Sequence, residues 1–141
     1  MTTGLLIVLG ILALVVVAVG WDSWRSGKAF CSPIPRRFRD RESQEAIWQE
    51  RIPGETQATA DAILRMLCDA FTFNPDDRYK FWPDDRYCDI YQARYPWWKV
   101  ADCMETEWFG MELEKRFGID ISERLSTITL GEIVDLASNR S

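Results

Sequence analysis

Histidine is absent from the sequence, so the residue that most often serves as a general base or metal ligand near neutral pH is missing. Neither a glycine-rich phosphate loop nor a Gly-x-Ser-x-Gly nucleophile motif occurs. The cysteines lack the Cys-x-x-Cys spacing that is typical of zinc and redox sites. We therefore predict a protein that is not an enzyme and that binds neither a metal nor a cofactor. The four cysteines are Cys31, Cys68, Cys88 and Cys103.

Positive charge is absent from the first 24 residues, and no charge of either sign precedes Asp22. Residues 4–20 are an uninterrupted apolar run, and about 20 residues can cross a hydrocarbon core that is ~30 Å thick. A cleaved signal peptide is the alternative, but signal peptides have a basic start and small residues at a cleavage site. We therefore predict a retained, single-pass transmembrane helix over residues 1–21, with the lipid in contact with residues 4–21.

The charges that follow the apolar run predict its orientation. Residues 21–41 contain six basic and two acidic side chains, and the positive-inside rule then places the N-terminus outside and the rest in the cytoplasm. The predicted location is the inner (cytoplasmic) membrane. Residues 22–54 are predicted to be a basic linker, stiffened by Pro33 and Pro35, with a short helix over residues 41–51. The predicted membrane-interface residues are Trp21, Trp24, Arg25 and Lys28.

The rest of the chain has an excess of negative charge. Residues 42–141 contain 20 acidic and 11 basic side chains, a balance of −9. A domain of this charge repels nucleic acid and attracts basic protein surfaces. The predicted domain covers residues 55–141, and we expect its partner to be a basic protein surface rather than a nucleic acid.

Two helices of this domain have clear patterns. The first is predicted from Thr56 to about Phe71, because apolar residues recur there at three- and four-residue steps. The last is predicted to open at Thr129, where Glu132 completes a capping box. Between them, Ile119 and Ile121 are expected to be buried in an extended segment, followed by a short helical turn.

Residues 72–101 are predicted to be a long aromatic connection. The sequence Pro-Asp-Asp-Arg-Tyr occurs at residues 75–79 and again at 83–87, and its residues favour turns. A calcium site is not predicted, because the spacing differs from that of an EF-hand loop and an arginine follows each aspartate pair. Two interpretations of the aromatic run stay open, core packing being favoured over a binding surface. The run consists of Tyr91, Tyr95, Trp97 and Trp98.

Residues 102–118 predict an amphipathic helix with both ends marked. Asp102 and Glu105 have the spacing of a capping box, and Gly118 is suited to a left-handed C-terminal turn. Apolar residues recur at three- and four-residue steps and predict a broad stripe that is buried, with glutamates on the other side. The stripe consists of Met104, Trp108, Phe109, Met111, Leu113 and Phe117.

This helix and the segment after it resemble an acyl carrier protein. Asp102-Cys103-Met104-Glu105 is similar to the family's Asp-Ser-Leu-Asp, and Phe117-Gly118-Ile119-Asp120-Ile121 is similar to its Phe-Gly-Ile-Glu-Ile. The resemblance continues through residues 127–136 and covers about the last 40 residues. It implies an all-α fold in which a small four-helix bundle, its third helix short, follows the transmembrane helix.

Cys103 occupies the position of the serine that binds phosphopantetheine in the family. We therefore expect no prosthetic group. The helix N-terminus favours a reactive thiol at this position, whereas the neighbouring carboxylates oppose it. The simpler interpretation is a small residue tolerated where the serine no longer functions.

Three functions are compatible with these features. We favour a membrane-anchored, non-catalytic module that docks proteins through the acidic helix, as the resemblance implies for carrier-protein partners. The alternatives are a working acyl or thiol carrier that uses Cys103, and a structural subunit of a membrane complex. The predicted docking face consists of Asp102, Glu105, Glu107, Glu112 and Glu114.

Overall fold

A computed structural model describes residues 2–25, 31–96 and 103–140 of the chain. The chain divides into two compact units, Met1–Cys31 and Ser32–Ser141. In the first unit, helix α1 extends over Thr2–Arg25, which confirms the predicted helical conformation. Within the described residues, no helix combines the length and the apolar character that crossing a membrane requires.

The regular elements in the described parts of the second unit are all helical. No β-strand occurs among residues 32–96 and 103–140, which contain only the isolated bridges Ser32–Phe73 and Arg86–Thr129. The prediction of an all-α fold is therefore confirmed. The elements are α2 (Arg36–Arg39), α3 (Glu45–Arg51), α4 (Gly54–Ala70), a first 3₁₀ segment (Pro75–Lys80), α5 (Tyr87–Arg94), α6 (Met104–Phe117), a second 3₁₀ segment (Ser122–Arg124) and α7 (Leu130–Ser138).

Helix α4 is the centre of this unit, because it packs against α3, α6, α7 and the first 3₁₀ segment. Its apolar residues share one face at helical spacing, and Ile63, Leu64 and Leu67 are completely buried. The helix ends at Ala70, and Thr72 then adopts a left-handed conformation with φ = 55°. The helix predicted from Thr56 to about Phe71 is therefore confirmed.

The unit begins at Ser32, whereas the sequence suggested a domain that starts near residue 55. Ser32 donates its backbone N–H to the Thr72 carbonyl at 2.6 Å. Within the predicted linker, α2 begins directly after Pro35. Proline is tolerated at a helix start because the backbone N–H that it lacks would have no partner within the helix there. Four apolar side chains between residues 32 and 54 are buried in the core: Ile34, Phe38, Trp48 and Ile52.

The aromatic connection contributes to the core. Phe73 and Phe81 are buried, and the ring of Tyr87 stacks on Phe109 of α6 with 5.2 Å between centroids. Tyr91 and Tyr95 are half-buried against this core, while Trp97 and Trp98 lie outside the described residues. For Tyr91 and Tyr95, the structure therefore supports core packing rather than a binding surface.

Both copies of the Pro-Asp-Asp-Arg-Tyr repeat adopt turn-like structure, as predicted. The first copy lies in the 3₁₀ segment Pro75–Lys80. The second copy begins with a turn whose aspartates form ion pairs with arginines from the N-terminal part of the unit. Arg51 binds Asp84 at 2.7 Å, and Arg41 binds Asp85 at 2.6 Å. Two of the repeat's carboxylates, Asp84 and Asp85, therefore hold the N-terminal part of the unit.

The C-terminal elements agree with the sequence. Ile119 and Ile121 are buried, with exposed Asp120 between them. The Thr129 side chain accepts a hydrogen bond from the Glu132 N–H, and the Glu132 carboxylate accepts one from the Thr129 N–H. The predicted capping box at the start of α7 is thus confirmed.

Candidate functional site

Helix α6 is the candidate site, and its start differs from the prediction. Cys103 precedes its first residue with φ = 62°, and its side chain makes no capping hydrogen bond. Asp102 lies outside the described residues. Glu105, the other half of the predicted capping box, instead accepts a hydrogen bond from the Tyr95 hydroxyl, which ties the end of α5 to the first turn of α6.

The end of α6 agrees with the prediction. Gly118 is left-handed with φ = 66°, and its N–H donates to the Glu114 carbonyl at 2.8 Å. Any residue other than glycine would be strained in this conformation, because it has a Cβ. Gly118 therefore ends the helix and turns the chain toward buried Ile119.

The buried face of α6 is the main correction to the sequence analysis. Phe109 and Leu113 are completely buried, and Phe117 is half-buried. The other three residues of the predicted stripe point outward: Met104 is 65% exposed, Met111 61% and Trp108 37%. The prediction was one broad apolar stripe with glutamates on the other side, but α6 has two opposite apolar faces and buries only the face of Phe109, Leu113 and Phe117 against the core.

Met104, Trp108 and Met111 form a surface that we call the outer stripe. At 100° per residue, glutamates lie on both of its flanks. Glu107 and Glu114 follow one flank, and Glu105 and Glu112 follow the other. The apolar and acidic residues of α6 therefore share one surface instead of occupying opposite sides.

The two flanks differ in how their carboxylates are held. Glu107 and Glu114 are exposed and make no ion pair with any other described residue. The Glu112 side chain is only 16% exposed and binds Arg116 at 2.8 Å and Lys115 at 3.7 Å. Glu107 and Glu114 are therefore the acids of the predicted docking face that are most available to another molecule.

A groove of about 320 Å³ lies beside the outer stripe. Its walls come from the end of α4 and the start of α6, and they combine apolar surface with two carboxylates. The lining residues are Asp69, Ala70, Met104, Glu105 and Trp108. Such a lining suits a cationic group on an aliphatic stem, because the stem packs on apolar atoms while the charge reaches a carboxylate.

Cys103 has an exposed thiol next to a tyrosine. The Tyr91 hydroxyl lies 3.7 Å from the Cys103 sulfur, within hydrogen-bond range for sulfur. Burial and the contact with Cys103 raise the pKa of Tyr91 to about 12, so its phenol stays protonated at neutral pH and donates to the sulfur. Nothing in the sequence pointed to this tyrosine as a neighbour of the cysteine.

The predicted membrane-interface residues are only partly described. Trp21 lies in α1 and is exposed. Trp24 and Arg25 are the last two residues of α1, but their side chains lie outside the description, as does the whole of Lys28. In the parts of the chain that the structure describes, no group of three or more Cys, Asp or Glu side chains is arranged to hold a metal ion.

Comparison with protein-family models, with curated proteins and with solved structures gives no significant match. The likeness to acyl carrier proteins therefore rests on the sequence features described above.

Proposed function

We propose that this chain is a non-catalytic docking module, held at a membrane by residues 4–21, that receives a basic protein surface on α6. The exposure of Glu107 and Glu114 is the observation that carries the proposal. Both point away from the core, and neither is neutralised by a described neighbour. Exposed carboxylates steer a basic partner toward this face and select against acidic partners.

The order of the helices supports a carrier-protein-like architecture. Apart from α5, which lies in the connection after it, the long helix α4 is followed by α6, a short 3₁₀ segment and the last helix α7. This is the order that the resemblance to acyl carrier proteins implies. Because Cys103 stands where the family has its serine, the proposed module keeps the docking helix without phosphopantetheine.

The membrane part of the proposal rests on the sequence. The chain has no charged residue before Asp22, and the basic residues all follow the apolar run. We propose a single pass through the inner membrane with the N-terminus outside and the acidic domain in the cytoplasm. Retention in the pellet after alkaline carbonate, with release by detergent, would support the anchor. Release by carbonate alone would contradict it.

Charge reversal tests the docking proposal. The full chain would be purified from its native host after chemical cross-linking, and its cross-linked partners compared between variants. Glu107→Lys with Glu114→Lys should abolish a specific adduct, because two attractions become repulsions. Glu50→Lys with Glu55→Lys reverses two exposed acids outside α6 and should preserve it. Equal adducts from both double variants would refute docking on α6.

A carrier function remains the second candidate, because the Cys103 thiol is exposed and accessible to a modifying enzyme. Intact-mass spectrometry of the protein from its native membrane distinguishes the two functions. An added mass that disappears in Cys103→Ala would favour the carrier. An unmodified chain, with full function in Cys103→Ala, would favour docking without thiol chemistry.

A further inference from the structure

A seven-residue repeat lies within α6. Met104-Glu105-Thr106-Glu107 recurs as Met111-Glu112-Leu113-Glu114, seven residues later. With Trp108, the apolar residues of the outer stripe are separated by steps of four and three. These steps are those of positions a and d in a heptad, the residues at which two helices of a coiled coil meet. In this register Met104 and Met111 are d positions, Trp108 is an a position, and the next a position is the exposed Lys115 at the end of the helix.

The same register assigns every glutamate of α6 to a flanking position. Glu105 and Glu112 are e positions, and Glu107 and Glu114 are g positions, the positions whose charges set the choice of partner in coiled coils. The opposite side of the helix holds Phe109 and Leu113, which fix α6 to the core. A second helix on the outer stripe would therefore not compete with the core contacts of Phe109 and Leu113.

We infer that α6 forms a short two-helix coiled-coil contact with a basic amphipathic helix of another protein. The inference rests on the proposed docking function and adds to it the shape of the partner. That helix would present apolar residues at a and d positions, and lysine or arginine at e and g positions. Apolar packing on the outer stripe would provide affinity, and the charges on its flanks would provide selectivity.

The carboxylates of Glu107 and Glu114, which bind no described basic residue, argue against a second copy of this chain as the occupant. Glu112, by contrast, is already bound by Arg116 and Lys115. Two α6 helices packed through their outer stripes would place glutamates against glutamates on both flanks, whether parallel or antiparallel. Like charges at these positions oppose pairing. A helix with basic flanks converts the same positions into attractions. The groove beside the stripe supports this choice, because Asp69 and Glu105 line it together with apolar residues.

The test uses a synthetic peptide as the probe. A peptide of about three heptads would have leucine at a and d, lysine at e and g, and alanine elsewhere. The full chain, labelled with ¹³C at its methionine methyl groups, would be studied by NMR in phosphatidylcholine nanodiscs. The chain has four methionines, and Met66 is buried in the core and serves as an internal reference.

The expected result is a saturable shift of the Met104 and Met111 methyl signals, with the Met66 signal unchanged. Met104→Gln with Met111→Gln should weaken binding by about tenfold or more, because the apolar contacts at the centre of an interface contribute most of its affinity. Both side chains are largely exposed, so the variant should fold normally. Ile47→Gln, which changes an exposed apolar residue of α3, is the matched control and should bind as the parent chain does.

Two control peptides complete the test. One has glutamate in place of lysine, and the other has the same composition with the leucines moved out of the a and d positions. Equal binding of the second control, or no methyl shift with the lysine peptide, would overturn the inference. Methyl shifts that depend on protein concentration without peptide would indicate a second copy, and shifts caused by added lipid would indicate a bilayer; either would also overturn it.

The inference and the docking proposal fail in different ways. If Glu107→Lys with Glu114→Lys abolishes the cross-linked adduct in the native host while the methionine double variant leaves it intact, docking stands and the coiled-coil contact is refuted. If neither double variant changes the adduct, both are refuted. Loss of the adduct in both variants, with the Ile47→Gln control intact, supports both.

Discussion

The indole N–H of Trp48 donates a hydrogen bond to the backbone carbonyl of Phe81 at 2.9 Å, and both residues are buried. The two lie 33 positions apart, one in α3 and the other just after the first 3₁₀ segment. This bond fastens the N-terminal part of the unit to the aromatic connection. Through this bond, the arginine-rich segment of residues 36–51 is part of the folded unit.

Trp48 is therefore expected to be essential for stability. Trp48→Phe should reduce the free energy of unfolding by about 1–3 kcal/mol, because the Phe81 carbonyl would stay buried without its donor. Trp48→Ala should cost about 3–5 kcal/mol through the additional cavity. Urea unfolding of the full chain measures both. Ile47→Ala, at the exposed neighbouring position, is the control, and a similar loss there would contradict this role.

The pH dependence of stability is predicted at Asp61. Burial acts to raise its pKa, but hydrogen bonds from Arg65, Arg78 and Tyr79 outweigh burial and lower the pKa below 3.8. The ionised form is thus favoured by folding, so its stabilisation is complete above the unfolded pKa and disappears as pH falls through the lowered folded value.

Asp61→Asn should consequently destabilise the protein at pH 7 by about 1–3 kcal/mol, because hydrogen bonds to a charged group contribute about 1.5–3 kcal/mol and the Asp61 side chain is partly exposed. The difference from the parent chain should shrink as pH falls below the unfolded pKa of about 3.9 and should vanish only once the folded carboxyl, whose pKa is lower, is also protonated. Denaturant unfolding at several pH values measures this difference. Asp135→Asn, at an exposed position on α7, should show little effect at any pH.

Two glycines of α6 should respond to the same substitution with opposite signs. Gly118→Ala should destabilise by about 1 kcal/mol, because alanine is strained at φ = 66°. Gly110→Ala should stabilise by about 0.5–1 kcal/mol, since an added Cβ meets no atom within 4 Å and alanine is the better helix former. Thermal unfolding compares the two. Equal effects would contradict the observed end of the helix.

The capping box of α7 gives a further prediction. Thr129→Ala removes the side-chain acceptor for the Glu132 N–H and should cost about 1 kcal/mol. The capping hydrogen bond is exposed, so the loss should be similar in size to that of other surface caps. Thr127→Ala, two residues earlier and outside the capping box, should cost less. Unfolding midpoints of the two variants decide between these outcomes.

Gly131 shows how the structure constrains this region beyond the sequence pattern. A Cβ at this position would lie 3.1 Å from the Pro83 carbonyl oxygen, to which the Gly131 N–H donates at 2.8 Å. The start of α7 therefore packs closely on the second copy of the repeat. No local signal in the sequence indicates that residues 83 and 131 are neighbours.

Local chemistry explains which predictions succeeded. The bounds of α4, the end of α6 at Gly118, the capping box at Thr129 and the burial of Ile119 all depend on residues within one or two turns of one another. The spacing of apolar residues, helix caps and left-handed glycines act over that range, so the sequence alone predicts their effects. The all-helical fold follows from the same patterns.

Tertiary packing decided the rest. Whether Phe109 or Met111 faces inward depends on which side of α6 meets α4, and both sides are apolar, so helix periodicity alone could not choose. The inclusion of Trp48 in the core likewise depends on Phe81, far away in the sequence. The sequence determined the helices and the acidic charge of this protein. Only the tertiary structure decided that the methionines of α6, and not Phe109, remain on the surface between the glutamates.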